Sequence, residues 1–573
     1  MLASGSARQS GRGNHGFNSG NCGPGNLGGN GAGWRSFRTL GIIGLIHSRP
    51  LSRYRGWVPV VGVVHALKKI GVVALGLALL MPCAVSRVAV AMAATQATHR
   101  LSKIDNDLLD DISRRSFRYF WQNTDPGTGL VLDRVRFDGK PGDASWHKNV
   151  SSIAATGFGI TASCIGAQHR WVSPALARER IRTALRFFAY HAQQEHGWFY
   201  HFLDATTGKR RWKSEISSID TALLLAGILT ARQAFPNDPE IVRLADLIYD
   251  RVDFSWMLDG NRLFLSHGWK PETGFLPYRW DTYSESGILY ALAIGSPTHP
   301  ISPDSWFGWK LPVVHEAGYS YIGGGPLFIQ QYSQAWLDLR NRRYLQVPME
   351  DRVVPRVSVF ENAVLATRAQ QALGIDLSQR YRGYSSKVWG ITASDSAKGY
   401  VAWGGSADDS RIDGTVVPSA AAGSAMFAPD ICIPALRAML LQYGKKVYGR
   451  YGFADAFNPT TGWVSRYAIG IDVGITLLSA ENLRTGNVWR WFMSNTDIER
   501  ALDMIGLVPN SPVDPGEAGR VTVEALEEPS GPKPREHPAN GGTEPTIHRV
   551  GDKHRIPVSA FKYEIPIPPQ ETK

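Results

Sequence analysis

Acidic residues are absent from the first hundred positions of this chain. Nine arginines, from Arg8 to Arg100, stand there with Lys68 and Lys69 against no aspartate or glutamate, so eleven of the twelve net positive charges of the 573-residue chain lie in that stretch. A uniformly basic protein would point to nucleic acid or an anionic membrane. Here the charge is confined to a leader and the remainder is nearly neutral, which removes nucleic acid from the expected partners. Cysteine is scarce: four residues exclude a scaffold built on disulfides. Only Cys164 and Cys432 lie beyond the leader, and Cys164 sits in the apolar run ITASCIGA, as a buried free thiol would. Several catalytic signatures are missing from the body. There is no HExxH, the nearest string being His315-Glu316, and no G-x-S-x-G elbow, Walker loop or Cys/His metal spacing. No metal or cofactor is expected. The GNGAGW string near the start follows no strand and opens no helix, so it is low complexity rather than a nucleotide loop.

With 43% hydrophobic, 20% charged and 10% aromatic residues, the composition is globular. Three segments are expected. Residues 1–100 form a Gly-rich leader with an export signal: Lys68-Lys69 precede an apolar run from Ile70, followed by small-x-small sites around Ala89–Ala93. The run Ile70–Pro82 is shorter than the roughly 20 apolar residues of a spanning helix. A retained anchor is the alternative, and membrane association is expected only in that case. Residues 101–508 form one even block of about 400 residues. From Val508 to Lys573 twelve prolines and few apolar clusters describe an extended tail.

The block reads as a succession of helices: Asp107–Asn123, Ser151–His169, Pro174 to about Gln194, Ser217–Ala234, Asp238–Trp256, Ser284–Ile294, Pro326–Asp338, Val357–Leu373, Ala421–Tyr443, Ile475–Asn482 and Thr496–Ile505, with a weaker pattern at Ser378–Trp389 and little period-two strand pattern. Ser173-Pro174 supplies an N-cap and first helical position. One set of connecting loops is short. The other is long, aromatic and acidic: GWFYHF, RWKSEISSID, GFLPYRWDTYSES, SPDSWFGW, WVSRYAIGID. Paired helices with such a one-sided loop set describe an all-α toroid with a cleft at one end. Aromatic faces beside acids suit sugar rings, whose C–H faces stack on indole and whose hydroxyls bond carboxylates. The residues expected to hold substrate are Tyr200, His201, Trp212, Tyr283, His299, Trp306, Trp463 and Tyr467. Inter-helix core is the competing role for any one of these rings.

Four acids stand out. Glu215 and Asp220 lie in KSEISSIDTALL, where Asp220 also fits a plain helix-dipole role. Glu285 lies in DTYSESGILY, where Thr282 and Glu285 also match a capping box. Asp472 lies in the apolar YAIGIDVGI, where an unpaired carboxylate is costly. Glycosidic hydrolysis needs one acid for the leaving oxygen and one base for water or attack.

The strings SSIAATGFGITASCIGA, GWFYHFLDATTGKR, SEISSIDTALLLAG, YSESGILYALAIGSPTHP, YGFADAFNP and GIDVGITLLSAENLRTG resemble the glucoamylase-like domain family, which includes the bacterial β-1,2-glucanases of glycoside hydrolase family 144. The resemblance covers roughly residues 104–505 in collinear order. It implies an (α/α)6 barrel, an extracytoplasmic (periplasmic or secreted) location, a β-1,2-glucan substrate and inverting hydrolysis. It also implies that Glu285 is the general acid, Asp472 the general base, and Glu215 and Asp220 essential cleft acids. Val473 and Ile475 depart from the glutamine and proline expected beside the base. The competing readings are a transglycosylase or hydrolase of another glucan, and a non-catalytic glycan-binding protein, against which the four retained acids argue. A monomer is expected. If residues 64–93 are a cleavable signal, N-terminal sequencing of exported protein begins near Ala94; an intact Lys68-Lys69 segment in a membrane fraction identifies an anchor instead.

Overall fold

Several helices of this chain are apolar on every face, and such helices must be surrounded by others. The computed structural model describes residues 101–141, 147–344, 358–404 and 409–509; the leader and the Pro-rich tail lie outside them. Helices are numbered here as α1 (Lys103–Gln122), α2 (Ile153–Gln168), α3 (Pro174–Tyr190), α4 (Ser218–Ala234), α5 (Pro239–Asp250), α6 (Gly287–Gly295), α7 (Phe328–Gln331), α8 (Val359–Leu377), α9 (Pro418–Gly423), α10 (Pro429–Tyr443), α11 (Gly470–Thr485), α12 (Asn487–Met493) and α13 (Thr496–Met504). Every residue of α6 and α9 is buried, and nearly every residue of α2 and α4. These helices, with α11 and the stretch from α7 into the 3-10 turn Ser333–Ala335, form a closed ring. Its order is α2, α4, α6, α7, α9, α11 and back to α2. Helices α1, α3, α5, α8, α10 and α13 pack outside it, giving the expected (α/α)6 barrel. The outer helices are one-sided: α1 buries Leu109, Ile112, Phe117 and Phe120 while Lys103 and Asp107 pair in solvent.

The ring is tight because glycine lets α2 touch α4. A Cβ on Gly157 would lie 2.2 Å from the Leu223 carbonyl oxygen, and one on Gly227 2.1 Å from the Gly157 carbonyl oxygen. Both glycines sit mid-helix, where their helix-propensity cost is offset by backbone-to-backbone packing.

Three departures from the sequence expectation have local causes. The helix expected over Ala421–Tyr443 is two, α9 and α10, because Pro429 lacks the N–H that would continue the first; Ala428 before it is not helical, with φ −137° and ψ 67°. The Pro326–Asp338 helix shrinks to α7 and its 3-10 turn, and Ser378–Trp389 forms turns. Helix α12 was not expected; Gly486, at φ 66°, ends α11 and lets the chain restart at once. The expected strand-poor loops contain paired strands of two to four residues, too short to show a period of two. Cys164 and Cys432 are buried free thiols.

Gly227→Ala should force α2 and α4 apart and lower stability by about 1–3 kcal/mol. Urea unfolding should show a reduced midpoint with an unchanged slope.

Candidate active site

The chain enters these inner helices from one end of the barrel, and short strand pairs knit that end together. Val150–Ser152 precedes α2 and pairs with Phe202–Asp204; Ile216–Ser217 precedes α4 and pairs with Gly268–Trp269; Tyr467–Ile469 precedes α11 and pairs with Arg134–Arg136. Acids in or just before the first turns therefore collect at one end. Asp220 lies in the first turn of α4, Asp472 in the first turn of α11, and Glu285 two residues before α6. Between Asp220 and Glu285 opens a cavity of about 80 Å³ whose wall includes Asp133, Arg134, His201, Asp220, Glu285 and Tyr332; Asp472 lines an adjoining space that shares Ile469 with it.

Glu285 is 2% exposed. Because α6 starts at Gly287, Glu285 is not at the third helical position, and the Thr282–Glu285 capping box suggested by spacing is not formed; the Thr282 hydroxyl donates to Asp281 instead. The Ser333 hydroxyl donates to the Glu285 carbonyl oxygen and fixes the backbone that presents this acid.

On the α4 side, His201 joins two of the expected acids. Its Nδ1 lies 2.9 Å from Glu215 Oε1 and its Nε2 3.5 Å from Asp220 Oδ1. The ring lies flat on Phe202, with centroids 3.7 Å apart. Burial opposes a charge on His201, but Asp220 and Glu215 outweigh it and raise the group to about 9. For Glu215, burial is again outweighed, by the hydrogen bond and charge of His201, and the carboxyl falls to about 2. Asp220 is pushed up: burial outweighs His201 and the Ser217 hydroxyl, which donates to Oδ2 at 2.5 Å. The backbone N–H of Asp220 in turn donates to Ser217 Oγ, so the residue also serves the helix start.

On the α11 side, Asp472 is 6% exposed and its Oδ1 accepts from the Ser419 hydroxyl at 2.8 Å. Burial raises its carboxyl, and the hydrogen bond from Ser419 holds it back. Four residues here were not foreseen. Arg134 bridges Asp133 and Asp395 at 2.8 and 3.1 Å, and Asp455 Oδ2 accepts from the Asp395 backbone N–H at 2.7 Å. Asp455 stands inside the string YGFADAFNP.

The eight expected substrate contacts divide. His201 lines the cavity. Trp212 and Tyr467 flank the ring of His147, with centroids 5.5 and 6.0 Å from it. Tyr283 donates to Gln330 Oε1 at 2.8 Å, tying the entry to α6 to the entry to α7. Tyr200 lies under the Arg210 guanidinium, and Trp463 is half-buried in a short strand pair. Trp306 is core, buried on Trp309 and near Gly287. His299 is exposed beyond the far end of α6, about 13 Å along that helix from the acids, with Nδ1 on the Thr298 hydroxyl. Val473 and Ile475 are both buried: Val473 lines a separate space behind Asp472, and Ile475 packs toward Gly423 of α9. The cavity wall beside them is Ile469 and Ile471, so the departure from the expected motif falls in the packing behind the wall.

Residues 277–496 match a family model described as "Glycoamylase: Putative glucoamylase", which spans α6 and α11 with Glu285 and Asp472. The exo β-1,2-glucooligosaccharide sophorohydrolase of Parabacteroides distasonis is 29% identical over 439 residues, 70% of this chain. The match spans 58% of that relative's length. A crystal structure of an endo-β-1,2-glucanase from Chitinophaga pinensis superposes with a TM-score of 0.64 at 27% identity, covering 71% of this chain and 99% of that one. A β-1,2-glucanase structure from P. distasonis gives 0.64 at 28% identity over 71% of this chain and 60% of that one. The chain is similar to the glucoamylase-like β-1,2-glucanases. The sequence strings that carried the resemblance are thus matched by the fold as well.

The His201 group titrates in an accessible range. Its charged form is favoured by folding, raised from an ordinary 6.5 to about 9, so its stabilisation is complete below pH 6.5 and is lost as pH rises through 9. Thermal melts of wild type and His201→Gln should differ most near pH 6 and converge toward pH 9.5.

Proposed function

We propose that this protein is an exported glycoside hydrolase that cleaves β-1,2-linked glucan with inversion at the anomeric carbon. The observation that carries the reading is the position of Glu285 and Asp472. Helices α6 and α11 stand third and sixth in the ring of six, so these two acids are carried by opposite helices at the same end of the barrel, Glu285 on the cavity wall and Asp472 in the space adjoining it. With neighbouring axes about 8–10 Å apart, opposite axes lie roughly 16–20 Å apart. Acids on opposite helices fit the wider carboxyl separation of inverting enzymes, about 6.5–9.5 Å, which leaves room for a water between base and sugar.

In this reading Glu285 protonates the glycosidic oxygen as the C–O bond breaks, and Asp472 takes a proton from the water that attacks the opposite face. A low dielectric strengthens the field on the developing charge, and the Ser419 hydroxyl offsets the effect of burial on the Asp472 carboxylate. His201 has both ring nitrogens toward carboxylates. Its part is to hold Asp220 and Glu215 at the cavity edge for sugar hydroxyls. The activities of the relatives from P. distasonis and C. pinensis support the β-1,2 linkage, and the leader with Lys68-Lys69 and its small-x-small sites supports export to the periplasm or medium.

Product analysis on β-1,2-, β-1,3-, β-1,4- and α-1,4-glucans tests the substrate class: glucose-containing products from the β-1,2 polymer alone are expected, and preferential release from another glucan overturns it. Glu285→Gln and Asp472→Asn should each lower turnover by roughly two to four orders of magnitude, with melting temperature unchanged or raised for Asp472→Asn, which removes a buried acid. Near-normal turnover in either variant removes that residue from the proton path.

A further inference from the structure

Behind the cavity wall lies a second, smaller chamber of about 20 Å³, room for a single water, lined by Asp455, Asp472, Ser116 of α1, Ser419 and Thr476 among others. Asp455 and Asp472 share this wall and are 4% and 6% exposed. One oxygen of each is satisfied: Asp455 Oδ2 by the Asp395 N–H, Asp472 Oδ1 by the Ser419 hydroxyl. The other two, Asp455 Oδ1 and Asp472 Oδ2, are buried and have no protein donor.

The groups around them make two bare charges there very costly. Asp395, Asp133, Tyr119, Tyr332 and Tyr400 face the pair with negative or neutral oxygen, and Arg134 is the cation that faces it. Arg134 already bridges Asp133 and Asp395. Four carboxyls thus surround one guanidinium in a buried site, and neighbouring carboxylates in that condition share a proton.

We propose that Asp455 is a positioning residue that holds this proton and donates its O–H to Asp472 Oδ2, leaving Asp472 ionised as the base. The proposal rests on Asp472 being the base in the reading above. In the step, the attacking water forms its bond to the anomeric carbon and gives one proton to the Asp472 carboxylate. The glycosidic oxygen leaves with the bond electrons and the Glu285 proton. Asp455 keeps its proton throughout. Asp472 then loses its proton to solvent and Glu285 regains one, which closes the cycle. The direction of the titration agrees: Asp455 is held well above the ordinary range by burial and by Asp472.

Asp455→Asn keeps a donor of the same shape, and Asp455→Ala removes it. The acid limb of the kcat/KM–pH profile should stay at the wild-type position in Asp455→Asn and move up by about one pH unit in Asp455→Ala. A shift to lower pH in Asp455→Asn would mean that an ionised neighbour had been removed, and an unmoved limb in Asp455→Ala that no hydrogen bond reached Asp472; either overturns the proposal. A readout without substrate separates this from the catalytic reading. At pH 7 the infrared spectrum of the wild type should contain a protonated-carboxyl C=O band that both Asp455 variants lack. If that band is missing from the wild type, the pairing is wrong whatever the activity; if it is present but Asp472→Asn still turns over normally, the pairing stands and the assignment of the base fails.

Discussion

Everything at the cleft depends on the entry of buried helices from a single end of the barrel. A helix that is apolar all round cannot place a carboxylate along its length without heavy desolvation, but its first turn opens onto the loop side and offers unpaired N–H groups. Asp220 and Asp472 occupy that turn, and Glu285 the residues just before it. The close contact of Gly157 with α4 and of Gly227 with α2 keeps neighbouring turns near enough for Asp220 and Glu285 to face one cavity, with Asp472 in the space adjoining it. Packing in the middle of the barrel and chemistry at its end are therefore one problem.

The two sides of the cavity handle negative charge differently. Near α4 an imidazolium stands between Glu215 and Asp220 and keeps Glu215 ionised down to about 2. Near α11 the cation is already spent on Asp133 and Asp395, and Asp455 and Asp472 are left to accommodate each other. The first arrangement suits fixed recognition of hydroxyls. The second suits a group that must change protonation during turnover, because its ionised and neutral forms are brought closer in energy.

The barrel was legible because helical periodicity and one-sided loops are local properties. The charged core of the site was less so. Arg134 meets Asp395 across 261 positions and Asp455 reaches Asp395 across 60, and no local rule pairs such residues. Asp455 lies within the motif YGFADAFNP, whose local pattern gives no sign of its partner. His299 reads as a cleft residue because it follows a motif that is, but α6 carries the chain away from the entry end before it appears, while Trp306 returns to the start of α6 beside Gly287 and is buried on Trp309 as core. In the other direction, spacing suggested a capping box at Glu285 that the actual start of α6 rules out. The breaks at Pro429 and Gly486 were written in the sequence, yet continuous apolar patterning hid them.

Opposed acids on α6 and α11 commit the account to one stereochemical outcome. Proton NMR of β-1,2-glucan during the first minutes of hydrolysis, before mutarotation equilibrates the new reducing ends, measures it directly. The account predicts that the α-anomer appears first and the β-anomer follows at the mutarotation rate. Initial accumulation of the β-anomer would mean retention through a covalent intermediate and would contradict the roles given to Glu285 and Asp472.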